Sequence, residues 1–170
     1  VMLGDAQAAK SMLGELRAFA DKSPFSFAGV TDASRTLLQF GVDAGSVIPT
    51  IKRIGDVAAG DEGKIASLSL AFGQMTSTGR LMGQDLNQMI NAGFNPLQEI
   101  SRTTGESMAS LKKRMEDGGI SAAMVAKAFE TATSEGGKFH GMTERMSEST
   151  LGLYSTLKDN AGTAVRTMAE

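Results

Sequence analysis

Residues 81–105 decide the fold class, and their sequence is LMGQDLNQMINAGFNPLQEISRTTG. The first half of this stretch carries apolar residues at helical spacing: Leu86, Met89 and Ile90. Gly93 and Phe94 follow and interrupt the pattern, because glycine is a poor residue for a helix interior. A short helix over 81–91 is therefore predicted.

The second half of the stretch begins with a start signal for another helix. Asn95 is a preferred capping residue, and Pro96 takes the first helical position, where its missing N–H costs little. Gln98 stands where a side chain returns a hydrogen bond to the cap. We expect this helix to run to about residue 103 and to stop near Gly105.

The same pattern of cap, apolar stripe and glycine or proline stop recurs outward from this stretch in both directions. It predicts further helices over 5–20, with Asp5 as cap, and over 27–40, 46–59, 64–76, 107–117, 121–135 and 141–170. Residues 76–79 are expected to form a loop of turn residues. The best strand candidate is 79–82, so at most one minor β-hairpin is expected.

These elements predict an all-α fold, a compact bundle of about seven to nine short helices. We expect a helical domain over 1–140. The C-terminal helix over 141–170 is expected to lead toward the rest of a longer chain. The first residues, VMLGD, do not look like a natural start, and they suggest a piece cut from something longer.

The composition excludes several classes of protein. The chain has 170 residues, of which 41% are hydrophobic and 21% charged, so a folded core is expected rather than disorder over the whole length. Cysteine is absent, which excludes thiolate catalysis, disulfides, iron–sulfur clusters and the usual structural zinc sites. The net charge of −2 gives no strong nucleic-acid signal.

Membrane and secretion signals are also missing from the sequence. No stretch approaches the ~20 apolar residues that a membrane-spanning helix needs, so no membrane span is expected in this fragment. The start of the chain lacks the basic and apolar regions of a signal peptide.

Catalytic residues are scarce. The single histidine, His140, lies in a glycine-rich stretch and is interpreted as a loop residue, because no motif supplies a nucleophile and an orienting acid. The acidic pairs Asp61-Glu62 and Glu116-Asp117 are interpreted as a solvated turn and a helix end, since adjacent residues point in different directions. No catalytic residue, cofactor or metal site is therefore expected.

The basic run and most of the methionines are also interpreted as structural features. Lys112-Lys113-Arg114 lies near a predicted helix C-terminus, where the helix dipole favours cations, and no aromatic residue accompanies it. Most methionines stand at core spacing, where this side chain fills gaps between helices: Met75, Met89, Met115 and Met124. The terminal helix carries one persistent apolar face: Met142, Met146, Leu153, Leu157, Ala161, Val165 and Met168.

Two places are predicted as interaction surfaces. The first is the segment 80–95, which is dense in amide and glycine residues and offers hydrogen bonds through Arg80, Gln84, Asn87, Gln88, Asn91 and Asn95. The alternative for this segment is a capped connection between helices. The second is the terminal helix, beginning at Met142 and Met146.

A series of short motifs occurs in order along the chain. They are SPF at 23–25, LLQFG at 37–41, IGDVAAG at 54–60, AFGQM at 71–75, GRLMGQDLNQ at 79–88, NAGFNPL at 91–97, GIS at 119–121, EGGKF at 135–139 and LKDN at 157–160. Their order and spacing resemble the tape measure domain of long-tailed bacteriophage and prophage tail proteins. The resemblance covers about residues 8–160. No single motif is specific, but the ordered series is.

This resemblance implies a function and a set of partners. Tape measure proteins are long helical chains in the lumen of the tail tube, and their length sets tail length. The resemblance implies a place in the virion tail, and in the host bacterial cytoplasm during assembly. It also implies contacts with tail tube and baseplate or tip proteins, with tail assembly chaperones and with other copies of the chain. It implies no catalytic residue and no small-molecule substrate.

Three functional hypotheses follow. The first is a non-enzymatic structural module of a tape measure protein, contributing to tail assembly and tail length determination. The second is a peptidoglycan-degrading module that aids infection, for which Asp61, Glu62 and Asp85 would be the residues to test. The third is a DNA-contacting module of the tail, acting through Lys112, Lys113 and Arg114.

Overall fold

The computed structural model describes residues 6–168, and this part of the chain folds into nine helices with no strand. The predicted all-α helical bundle is confirmed. The helices are α1 (Ala6–Asp21), α2 (Phe27–Gln39), α3 (Ala44–Ala58), α4 (Glu62–Thr78), α5 (Gly83–Asn91), α6 (Pro96–Thr104), α7 (Met108–Glu116), α8 (Ala122–Thr133) and α9 (Met142–Met168).

Side-chain caps place most of the helix starts. In each of these caps a side-chain oxygen accepts a hydrogen bond from a free N–H group of the first helical turn. The capping residues are Ser26, Asp43, Asp61, Asn95, Ser107 and Ser121. The predicted cap of α1, Asp5, lies outside the described residues.

Several predicted helix boundaries are wrong. Helix α3 begins at Ala44 rather than Ser46, because Asp43 caps it by accepting from the Gly45 N–H at 3.0 Å. The predicted loop 76–79 is instead the last turn of α4. There the Thr76 hydroxyl donates to the Phe72 carbonyl at 2.8 Å, four residues back, so threonine remains helical.

Helix α5 starts at Gly83 rather than at residue 81, because the preceding residues pair with a distant segment. Arg80 forms an isolated antiparallel bridge with Ser121, and the Leu81 N–H donates to the Ile120 carbonyl at 2.9 Å. The predicted strand over 79–82 is therefore reduced to a single β-bridge at Arg80. No β-hairpin forms within residues 6–168.

Helix α4 occupies the centre of the bundle. It packs against α2, α3 and α5 and also contacts α8, while α6 packs on both α7 and α8. Phe72 of α4 meets Phe129 of α8 edge to face, with ring centroids 5.5 Å apart, and joins the two groups of helices. Met75 and Met89 are fully buried as predicted, and Met115 and Met124 pack against the core from partly buried positions.

Gly73 allows α2 and α4 to approach closely. A Cβ atom built on this buried glycine would lie 2.8 Å from Cδ2 and 3.0 Å from Cβ of Phe40, which directly follows α2. Since the Cβ of Phe40 moves only with its backbone, the contact cannot be relieved by a side-chain rotation. Glycine is therefore required here by packing rather than by backbone angle.

We predict that Gly73→Ala destabilises the domain. Overpacking of this kind costs about 1–3 kcal/mol, which outweighs the roughly 0.5–1 kcal/mol by which alanine favours a helix over glycine. The control is Gly14→Ala in α1, where the added Cβ meets nothing within 4 Å and a gain in stability is expected. Urea unfolding measures the free energy of unfolding of each variant relative to the parent. An equal gain in stability in both variants would contradict this account.

Candidate interaction surfaces

Four of the predicted residues share one face of α5. Gln84, Asn87, Gln88 and Asn91 follow the i, i+3, i+4, i+7 spacing that aligns side chains along a helix. All are exposed except Gln88, which is half-buried and whose Oε1 is buried with no hydrogen-bond partner. We call these four residues the amide stripe. It carries no charge and offers both donors and acceptors.

The other two residues of the predicted segment lie apart from the amide stripe. Asn95 caps α6, and its Oδ1 accepts from the N–H groups of Leu97 at 3.1 Å and Gln98 at 3.3 Å. The Arg80 side chain lies against the turn at Gly118, where an added Cβ would come within 2.6 Å of its Nη1. Both residues therefore have a local structural role.

Two exposed apolar side chains accompany the amide stripe. Met82 and Ile90 are each 42% exposed. Ile90 was predicted as one of three apolar residues at helical spacing, but it is exposed, whereas Asp85, Leu86 and Met89 are buried. Apolar side chains next to hydrogen-bonding groups are typical of protein contact surfaces.

Helix α9 is attached to the bundle at its first turns. The Asp56 carboxylate on α3 accepts a hydrogen bond from the Thr143 N–H at 2.9 Å, across 87 residues of sequence. This bond satisfies a free N–H of the first turn of α9 and places a negative charge near the positive end of that helix. Gly55 leaves room for the contact, because a Cβ there would lie 3.3 Å from the Thr143 hydroxyl.

The predicted residues Met142 and Met146 lie at this attachment. Both are half-buried, and the Met146 Cβ would lie 3.7 Å from a Cβ added at Gly60. They therefore belong largely to the junction of α9 with α3. Sequence reasoning missed Asp56, since a lone carboxylate within a helix gives no signal of a contact with a distant helix.

Farther along α9, large apolar side chains are exposed. Leu151, Leu153, Tyr154 and Leu157 each expose between 65% and 69% of their surface, and we call them the α9 apolar face. Sequence reasoning included Leu153 and Leu157 but missed Leu151 and Tyr154. The side chains of Val165 and Met168, which were predicted to continue the stripe, lie outside what the structure describes. Contiguous exposed apolar surface is typical of a contact site.

The three carboxylates considered for catalysis are engaged in the fold. Asp61 caps α4 and accepts from the Lys64 N–H at 3.0 Å, while Glu62 accepts from the Ser26 N–H at the start of α2. Hydrogen bonding with Ser26 lowers the pKa of Glu62. Asp85 follows the opposite end of α4 and accepts from the Met82 N–H at 3.2 Å. They do not form one cleft.

The remaining sequence candidates lie separately on the surface. His140 is exposed, with its ring Nδ1 3.2 Å from the Thr133 carbonyl oxygen. Lys112 and Lys113 are exposed, whereas Arg114 pairs with Glu106 and bonds the carbonyl at position 119. No group of three or more potential metal ligands occurs within residues 6–168.

A buried carboxylate links α6 to α8. Glu99 accepts two hydrogen bonds from Arg102, at 3.0 and 2.6 Å, and a third from the Thr131 hydroxyl at 2.7 Å. The hydrogen bond to Arg102 is the main cause that lowers the pKa of Glu99, against the opposing effect of burial. The carboxylate is therefore held in its ionised form.

This network makes the stability of the domain depend on pH. Because the pKa of Glu99 is lowered in the folded state, its contribution is present above the ordinary value of 4.5 and is lost as pH falls through the folded-state pKa. We expect Glu99→Gln to flatten the pH dependence of the free energy of unfolding below about pH 5. Urea titrations from pH 6 to 3 measure the free energy of unfolding, and the exposed Glu116→Gln is the control. If the free energy of unfolding changed with pH in the same way in both variants, the prediction would be contradicted.

The Asp56 bond predicts a second local effect. Asp56→Ala leaves the Thr143 N–H without its acceptor, a loss worth about 1–3 kcal/mol. Amide hydrogen exchange at Thr143 should therefore become roughly tenfold faster or more. Asp32→Ala is the control, since Asp32 makes an exposed ion pair with Arg35 on α2. Unchanged exchange in Asp56→Ala would show that α9 is held by other contacts.

In the part of the chain that the structure describes, no helix is long and apolar enough to cross a membrane.

The described residues form a helical domain that exposes several large apolar side chains. A family model described as "Tape measure protein" matches residues 1–170, the whole of the sequence given. The chain therefore belongs to the tape measure protein family, and its role is that of a structural protein of the phage tail. No curated protein and no solved structure gives a significant match.

Proposed function

We propose that this domain is a non-enzymatic structural module that contributes to tail assembly and to tail length determination. The family match over residues 1–170 carries the proposal. The α9 apolar face supports it, because four large apolar side chains exposed to at least 65% are typical of a surface that contacts another protein. Its partners in the tail would include tube and baseplate or tip proteins, tail assembly chaperones or other copies of the chain. Assembly would take place in the host cytoplasm.

The engaged carboxylates support a role without catalysis. Asp61, Glu62 and Asp85 each accept a backbone N–H bond at or near a helix start, which is sufficient to explain why acidic residues occur there. The DNA-contacting alternative has little support, since Arg114 is paired with Glu106, and the acidic pair Glu116-Asp117 follows Lys112 and Lys113 four residues later.

The proposal predicts the effect of removing the domain in the parent phage. An in-frame deletion of these 170 residues should either abolish tails or shorten them by up to ~250 Å, the length of a helix that rises 1.5 Å per residue. Electron microscopy of the particles measures both outcomes. Tails of unchanged number and length would contradict the proposed function.

A pair of surface variants separates assembly from length. Leu153→Lys with Leu157→Lys retains the chain length but disrupts the α9 apolar face, so fewer tails of normal length are expected. Leu70→Lys in α4, where the side chain is 36% exposed, is the control and should leave tail number unchanged. Equal tail numbers in all three phages would exclude the α9 apolar face from assembly.

A further inference from the structure

A cleft of about 380 Å³ lies between the C-terminal end of α4 and the start of α5. Its lining includes Phe40, Gln74, Thr78, Met82, Gln84 and Asp85. Among the lining residues Asp85 is the one ionisable side chain, so the cleft has a negative charge when that carboxyl is ionised. We call it the Asp85 cleft.

Two acceptors in the cleft lining have few hydrogen-bond partners, namely the Asp85 carboxylate and the Gln74 side-chain oxygen. Asp85 is only 4% exposed, and the described residues give its carboxylate a single hydrogen bond, from the Met82 N–H at 3.2 Å. The Oε1 of Gln74 is buried with no hydrogen-bond partner. Burial raises the pKa of Asp85, as expected for a carboxylate that lacks a compensating cation. The Asp85 carboxylate thus has one backbone donor and no cation, and Gln74 Oε1 has no donor.

The walls of the cleft favour one kind of cation. Phe40 contributes a half-buried aromatic side chain, and Met82 contributes a thioether that is 42% exposed. A guanidinium group is planar, stacks on aromatic rings and is weakly hydrated, whereas an ammonium group is compact and strongly hydrated. Its several N–H groups can reach a carboxylate and an amide oxygen together.

We propose that the Asp85 cleft binds an arginine side chain of a protein partner. The guanidinium group donates to the Asp85 carboxylate and to Gln74 Oε1, and its aliphatic stem packs against Met82. The amide stripe begins at Gln84 in the same lining, so a partner lying along α5 reaches the cleft with one side chain. The proposal rests on the proposed function in one respect, that the partner is a protein of the phage tail.

The experiment uses the complete 170-residue chain and small probes. N-acetyl-arginine amide is titrated into ¹⁵N-labelled protein and followed by NMR, beside the lysine and citrulline analogues. Saturable shifts are expected at the amides of 74, 78 and 84–86 with the arginine probe, and at least tenfold weaker binding with the other two. Equal binding of the lysine analogue would overturn the choice of guanidinium, and equal binding of neutral citrulline would overturn the role of charge.

Two variants test the named contacts. Asp85→Asn retains an oxygen that caps α5 but loses the charge, and it should weaken arginine binding at least tenfold. Gln74→Met removes the unpartnered Oε1 at similar volume and should weaken binding severalfold. Asp61→Asn changes a capping carboxylate outside the cleft and should bind as the parent does. Absence of saturable shifts in the parent, or equal binding by Asp85→Asn, would overturn the proposal without affecting the tail-assembly proposal.

Discussion

The close approach of α2 and α4 at Gly73 is the contact on which the rest of the structure depends. Because no side chain separates Phe40 from the α4 backbone, α4 lies deep enough to be surrounded by α2, α3 and α5. Phe72, one position before that glycine, then reaches Phe129 and connects α4 to α8. The same approach places the Phe40 side chain beside the start of α5, where it becomes a wall of the Asp85 cleft. The missing side chain at Gly73 thus links the packing of the core to the shape of the proposed binding cleft.

Helix α9 is stabilised differently from the helices that precede it. The helices from α1 to α8 bury apolar side chains in one continuous core, and side-chain caps begin six of them. Helix α9 is held by the Asp56 bond and by Met146 at its start, and then exposes leucines and a tyrosine. Helices in proteins gain most of their stability from tertiary packing, and the α9 apolar face is not packed against the bundle. This arrangement suits a module of a long chain that assembles with other tail proteins.

The helices could be predicted from sequence because each has an apolar stripe and a local start or stop signal. Asn95, Ser107 and Ser121 were predicted as helix starts and do cap their helices. The predicted end of α4 near Thr76 was wrong because the threonine hydroxyl bonds to a carbonyl of its own helix. The predicted start of α5 at Leu81 was wrong because the preceding Arg80 forms a backbone bridge to the distant Ser121. The amide stripe was predictable from residue spacing, whereas the roles of Arg80 and Asp56 depend on contacts with residues far away in sequence. The Asp85 cleft was not predictable for the same reason.

The structure has a core organised around α4 and an α9 whose apolar face is exposed, and hydrogen exchange of the purified chain tests this arrangement most directly. The account predicts that the amides of 65–75 exchange slowest, at the rate of global unfolding, because this stretch of α4 has seven buried residues and is surrounded by other helices. Amides beyond residue 151 should exchange at least a hundredfold faster, since an unpacked helix opens without unfolding the core. Slow exchange along the whole of α9, or fast exchange within α4, would contradict this account.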